Sequence, residues 1–186
     1  MKKLLLVIAV SLMGMQCFAQ DNSDTIAVSK TNPSLWIKKH TDEFTGETYW
    51  VGKNTIHILG NNKLDITMIK PDSNRVVISL KALNHIFCID DKADLLFLMQ
   101  GLSSATSIPN HNKYNCDGEY WFVLSKEKSA DFKSVEDEIH LMALSHFKLK
   151  GIRLNAYNGG IFDYFLDYNN QVAFARTLYA LMYLAK

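Results

Sequence analysis

Short runs of alternating apolar and polar residues, each closed by Gly, Asn, Asp or Pro, constrain this chain towards antiparallel β-structure more than any other feature. Thr55-Ile56-His57-Ile58-Leu59 leads through Gly60-Asn61-Asn62 into Lys63-Leu64-Asp65-Ile66-Thr67-Met68. A three-residue loop there sets Ile58 opposite Leu64 and Ile56 opposite Ile66. The other face then carries Leu59 with Lys63, His57 with Asp65 and Thr55 with Thr67. That separation of apolar from polar is what a half-buried antiparallel pair requires.

The same reading places strands at Leu35–His40, Glu47–Val51, Arg75–Leu80 and Glu119–Leu124. His85–Ile89 and Leu95–Met99 read as a buried hairpin, with a helix starting near Asp91 as the competing assignment, because a short apolar run has no decisive period. Gly101 to Asn115 is polar and irregular. Late in the chain, Gly151–Tyr157 and Ile161–Asp167 flank Asn158-Gly159-Gly160, residues that accept the positive φ of a tight turn. A three-residue loop pairs Ala156 with Phe162, Leu154 with Tyr164 and Ile152 with Leu166, all on one face. A two-residue loop would set Leu154 against Asp163.

Two helices complete the expectation. Ser134 caps a stripe of Val135, Ile139, Met142 and His146 over 134–148, which Gly151 stops. Asn170 starts an apolar segment reaching Lys186, too short to span a bilayer and expected to pack on the sheet. A self-association surface, making a homo-oligomer through this helix, is the alternative use of its apolar side. The expected fold is α+β, an antiparallel meander with two covering helices. A β-sandwich with a C-terminal helix is the alternative.

Residues 1–19 carry an address of their own. Lys2 and Lys3 precede an apolar run, Leu4 to Met13, and Cys17-Phe18-Ala19 offers small residues at the positions a signal peptidase reads. The run is too short to cross roughly 30 Å of hydrocarbon. Gln16 stands where a lipoprotein signal has a small residue, which argues against acylation of Cys17. The chain therefore divides into a cleaved signal peptide (1–19), a polar flexible leader (20–33) and one globular domain (34–186), and the mature protein is expected to be periplasmic or secreted. Of three cysteines the signal removes one. Cys88 and Cys116 remain, and an oxidising compartment favours joining them. Closing that loop is worth roughly 3.5 kcal/mol in the chain-entropy account.

Composition limits function more than it reveals it. Twenty Lys and Arg against nineteen Asp and Glu leave no surplus of cations for a phosphate backbone, so no nucleic-acid partner is expected. A length of 186 residues with 48% hydrophobic content suits one folded domain.

Each candidate for chemistry has a plainer reading. His85 and His111 with Cys88 and Cys116 have the composition of a zinc site, but residues three apart on a strand point to opposite faces. Asp90, Asp91 and Asp94, or Asn115, Asp117 and Glu119, are oxygen-rich, yet turn formation explains both sets. His140 and His146 lack the i, i+4 spacing of paired ligands. His57 opposite Asp65 is an acid–imidazole pair with no nucleophile nearby in sequence, which fits a surface cross-strand contact. No metal and no cofactor are expected. There is no GxGxxG, Walker loop or GxSxG.

Aromatics concentrate in the C-terminal third. Core packing explains most of them, and Tyr157, Phe165 and Tyr168 are the candidate binding residues. The sequence thus points to a small exported binding or accessory protein without catalysis, its ligand an unknown protein or saccharide. A small periplasmic hydrolase, its His/Asp site assembled only in three dimensions, is the alternative. Protein recovered from the exported fraction should begin at Gln20, with intact mass as the check; a chain still carrying Met1 would contradict the assignment.

Overall fold

A computed structural model describes residues 26, 32–85, 87–90, 95–100, 106–108, 114–125, 144, 148–157 and 159–186. The signal segment and all of 134–148 except Leu144 and Lys148, where a helix is expected, lie outside the described residues. Among the described residues, ten strands form two antiparallel sheets, followed by one C-terminal helix.

The first sheet contains β1 (Ile37–Thr41), β2 (Thr48–Gly52), β3 (Ile56–Ile58), β4 (Leu64–Lys70), β5 (Arg75–Ala82) and β8 (Glu119–Ser125). Its order is β1-β2-β4-β5-β8, with β3 also pairing β4. The second contains β6 (Leu95–Met99), β7 (Thr106–Ile108), β9 (Leu149–Asn155) and β10 (Ile161–Phe165), in the order β10-β9-β6-β7. The chain leaves the first sheet after β5, returns for β8, and leaves again for β9.

Alternation decides the inner faces. Leu64, Ile66 and Met68 of β4, Val76, Ile78 and Leu80 of β5, and Tyr120, Phe122 and Leu124 of β8 are buried. From the second sheet come Leu95, Phe97, Ile152, Leu154 and Tyr164, and all of these belong to one core. The expected β3–β4 register holds: Ile56 faces Ile66, His57 faces Asp65 and Ile58 faces Leu64.

Several expectations need correction. Residues 33–36 form a helical turn, with Pro33 at its start and the Asn32 side chain accepting from Ser34 N, so the first strand begins at Ile37 rather than Leu35. Asn at a cap and Pro in the first turn are helix-start chemistry, and they override the apolar pattern. Leu95–Met99 is a strand, not a helix, but its partners are β7 and β9 instead of 85–89. The 85–89 segment makes an isolated bridge, Ile89 to Asn115. The irregular stretch after Gly101 contains β7.

The late hairpin is displaced by two residues from the expected pairing. Leu154 faces Phe162 and Ile152 faces Tyr164. The loop runs from Ala156 to Gly160, closed by Ala156 N donating to Gly160 O at 2.7 Å, with Gly159 at φ +81°. This register keeps the apolar face intact and sets Arg153 opposite Asp163.

The helix spans Tyr168–Tyr179 and ends in a π-helical turn, Ala180–Leu184. Its cap is Asp167, whose carboxylate accepts from Asn170 N at 2.8 Å; the expected Asn170 instead lies inside the first turn. Phe174, Leu178, Leu181 and Met182 are buried in the core, so this apolar side is covered by the chain's own sheets. The helix touches both β3 and β9. Ile26, in the leader, is buried with Ala175 and packs against Val172 and Tyr179. No helix among the described residues is long and apolar enough to cross a membrane.

Cys88 and Cys116 are joined by a disulfide, as the cysteine count suggested. Beside it, Phe87 lies between the two sheets, stacked on Phe162 at 4.2 Å between ring centres and on Tyr120 at 5.2 Å. The Tyr120 hydroxyl donates to Phe87 O. Burial pushes that phenol up to about 12, so it remains a donor across the working pH range. Phe87→Ala should lower unfolding free energy by about 3–5 kcal/mol, because it empties the space between two packed rings. Urea denaturation measures this, and a loss below about 1 kcal/mol would show that the stack is not structural.

Candidate functional site

Three strands of the second sheet bring the candidate site together. On β6, Leu95, Phe97 and Met99 face the core while Leu96 and Leu98 face outwards. On β10, Tyr164 is buried and Ile161 and Phe165 are exposed. Registers then align the outer side chains in rows. Phe165 stands beside Gly151 and Leu98, and Asp163 beside Arg153 and Leu96.

These rows shape a shallow groove of about 170 Å³, lined by Leu96, Leu98, Gly151, Ile152, Arg153, Asp163 and Phe165. Gly151 gives it its floor. A Cβ there would lie 3.2 Å from Tyr164 O and 3.3 Å from Phe165 Cδ1, so the Phe165 ring rests over the glycine backbone. An aromatic covering a cross-strand glycine stays fixed while its other face remains open, and Phe165 is 68% exposed.

The groove's polar side is an ion pair with fork geometry. Arg153 Nε donates to Asp163 Oδ1 at 2.6 Å, and Nη2 donates to Oδ2 at 2.8 Å. Two parallel charge-assisted bonds fix both planes. The hydrogen bond from Arg153, together with its positive charge, holds the Asp163 carboxyl below its usual value, and the same bond raises Arg153. The pair therefore stays ionised through the neutral range.

Of the three candidate binding residues, Phe165 lines this groove. Tyr157 is exposed in the β9–β10 loop, edge-on to Tyr114 at 5.2 Å. Tyr168 opens the C-terminal helix, with Lys148 Nζ 5.4 Å above its ring. Neither lines the groove. Leu98, Gly151, Arg153 and Asp163 were not singled out from sequence. The signal available was charge complementarity: Arg153 and Asp163 share the outward parity of the hairpin, and pairing them selects the observed register.

The histidine candidates lie elsewhere. His57 Nδ1 is 2.7 Å from Asp65 Oδ1, and the row continues across the first sheet to Lys81 and Glu119, whose charges are 3.1 Å apart. This is a line of alternating basic and acidic side chains on an outer sheet face, as cross-strand pairing favours. His85 is exposed, its ring 5.8 Å from Phe162. Asp91, Asp94, His111, His140 and His146 lie outside the described residues. Among the described residues no three His, Cys, Asp or Glu side chains gather closely enough to hold a metal ion. Glu119, one of the oxygen-bearing candidates, is paired with Lys81, and Asn115 has its backbone in the bridge to Ile89.

Comparison with family models, with curated proteins and with solved structures finds no match to this chain.

The lowered carboxyl of Asp163 sets a pH dependence. A depressed folded-state value stabilises the fold fully above the ordinary 3.8, and that contribution is lost as pH falls through the lower folded value. Asp163→Asn should therefore lower Tm at pH 7 and leave it nearly unchanged at the acid end. Thermal unfolding across pH 2–7 reads this directly, and an equal loss at both ends would assign the effect to packing.

Proposed function

We propose that this chain is a small exported protein, periplasmic or secreted, that binds a ligand without transforming it, and that its recognition surface is the outer face of β6, β9 and β10. The observation that carries the reading is the groove itself. It presents a half-exposed aromatic and aliphatic surface beside a rigid ion pair, all on strands rather than loops. Strand-borne sites hold their geometry before a ligand arrives, which lowers the ordering cost of binding.

Export is supported by the form of residues 1–19 and by the Cys88–Cys116 disulfide, a linkage that persists in oxidising compartments. A hydrolase is less well supported. Among the described residues, the groove lining includes an arginine and an aspartate locked to each other, and no histidine, serine, threonine or cysteine. His57 and Asp65 sit on an open sheet face with Lys81 and Glu119 in line.

Nuclear magnetic resonance of the mature protein with a mixed set of small fragments tests the proposal. Amide shifts are expected to cluster on Leu98, Gly151, Arg153 and Phe165, with every fragment recovered intact. Shifts centred on His57 and Asp65, or chemical change in a fragment, would overturn it.

A further inference from the structure

We propose that the groove on the outer face of β6, β9 and β10 takes one ring of a neutral saccharide, stacked on Phe165 and hydrogen-bonded along the Arg153–Asp163 pair. The inference rests on the reading of that face as the recognition surface and names its ligand class.

Size comes first. Sites for drug-sized molecules span roughly 300–1,000 Å³. At about 170 Å³ this groove accommodates a single ring-sized unit, while its open side allows a chain to continue beyond it. Charge comes second. Arg153 and Asp163 already neutralise each other through two short bonds, so an anionic or cationic ligand gains little unless it breaks the fork. A neutral ligand leaves it whole.

Hydrogen-bonding capacity then separates a sugar from an apolar side chain. The fork occupies two of the five guanidinium N–H donors, and each Asp163 oxygen keeps further acceptor capacity. A leucine or phenylalanine from a partner would cover these groups while offering them nothing, and stripping water from the remaining donors and acceptor sites without replacing it is costly. Sugar hydroxyls donate to the carboxylate and accept from the guanidinium, replacing that water in kind. The C–H face of the same ring matches the open face of Phe165, which Gly151 holds in place from beneath. An amphipathic ring fits both halves of the groove at once.

The experiment titrates mature, isotope-labelled protein with methyl hexosides and a neutral tetrasaccharide, and separately with a capped leucyl-phenylalanine dipeptide. The saccharides are expected to shift Leu98, Gly151, Arg153 and Phe165. Phe165→Ala should weaken their binding about tenfold, since loss of an aromatic platform is worth on the order of 1.4 kcal/mol. Arg153→Lys, which keeps the charge but loses the fork, should weaken it as well; an unchanged amide spectrum outside the groove verifies the fold of each variant. If only the dipeptide moves these residues, the saccharide inference is overturned and the recognition face stands. If neither ligand moves them, both readings fall.

Discussion

Phe87 is the element on which both sheets depend. It sits between Tyr120 of β8 and Phe162 of β10, and so joins two sheets that share no strand pairing among the described residues. Its carbonyl accepts from the buried Tyr120 hydroxyl, and the next residue is tied to Cys116. Tyr157 N donates to Cys88 O at 2.8 Å, which attaches the β9–β10 loop to the same segment. A ring stack, a covalent link and two backbone anchors thus converge on a crossing segment that is neither helix nor strand. The groove inherits its geometry from this knot, because Phe162 fixes the depth of β10 and hence where Asp163 and Phe165 stand.

The two outer faces use charge differently. On the first sheet, His57, Asp65, Lys81 and Glu119 alternate across four strands, and exposed pairs of this kind contribute little energy while setting register. On the second sheet the Arg153–Asp163 pair stands among apolar neighbours. There the fixed fork stands beside an open aromatic ring, the arrangement proposed above for recognition.

Local pattern carried much of this architecture. The β3–β4 register follows from Ile56, Ile58, Leu64 and Ile66 sharing one face, and the Cys88–Cys116 link from cysteine count and the expected compartment. The start of β1 was obscured because Leu35 and Trp36 are apolar, although Asn32 and Pro33 dictate a helical turn. The 85–99 hairpin does not form because burial alone does not name a partner: Leu95 pairs with Ile108 of the next strand and with Leu154, far along the chain. In the late hairpin, parity was right and offset wrong. Two registers place the same residues inside, and only the outward charges distinguish them. The groove is only partly legible for the same reason: Gly151 meets Phe165 within the late hairpin once its register is right, but Leu98 joins them through the long-range β6–β9 pairing that no local period encodes.

The border of the first sheet has a consequence of its own. In β1, Ile37 is turned inwards while Lys38, Lys39 and His40 are exposed. An incoming foreign strand would have to pair along an edge that carries lysines on both faces, and partly desolvate them to do so. At the far border of the other sheet, Asn62 Nδ2 donates to Asp163 O at 3.0 Å, occupying a carbonyl that a newcomer would need. Both features raise the cost of adding a second copy's strand at these two borders.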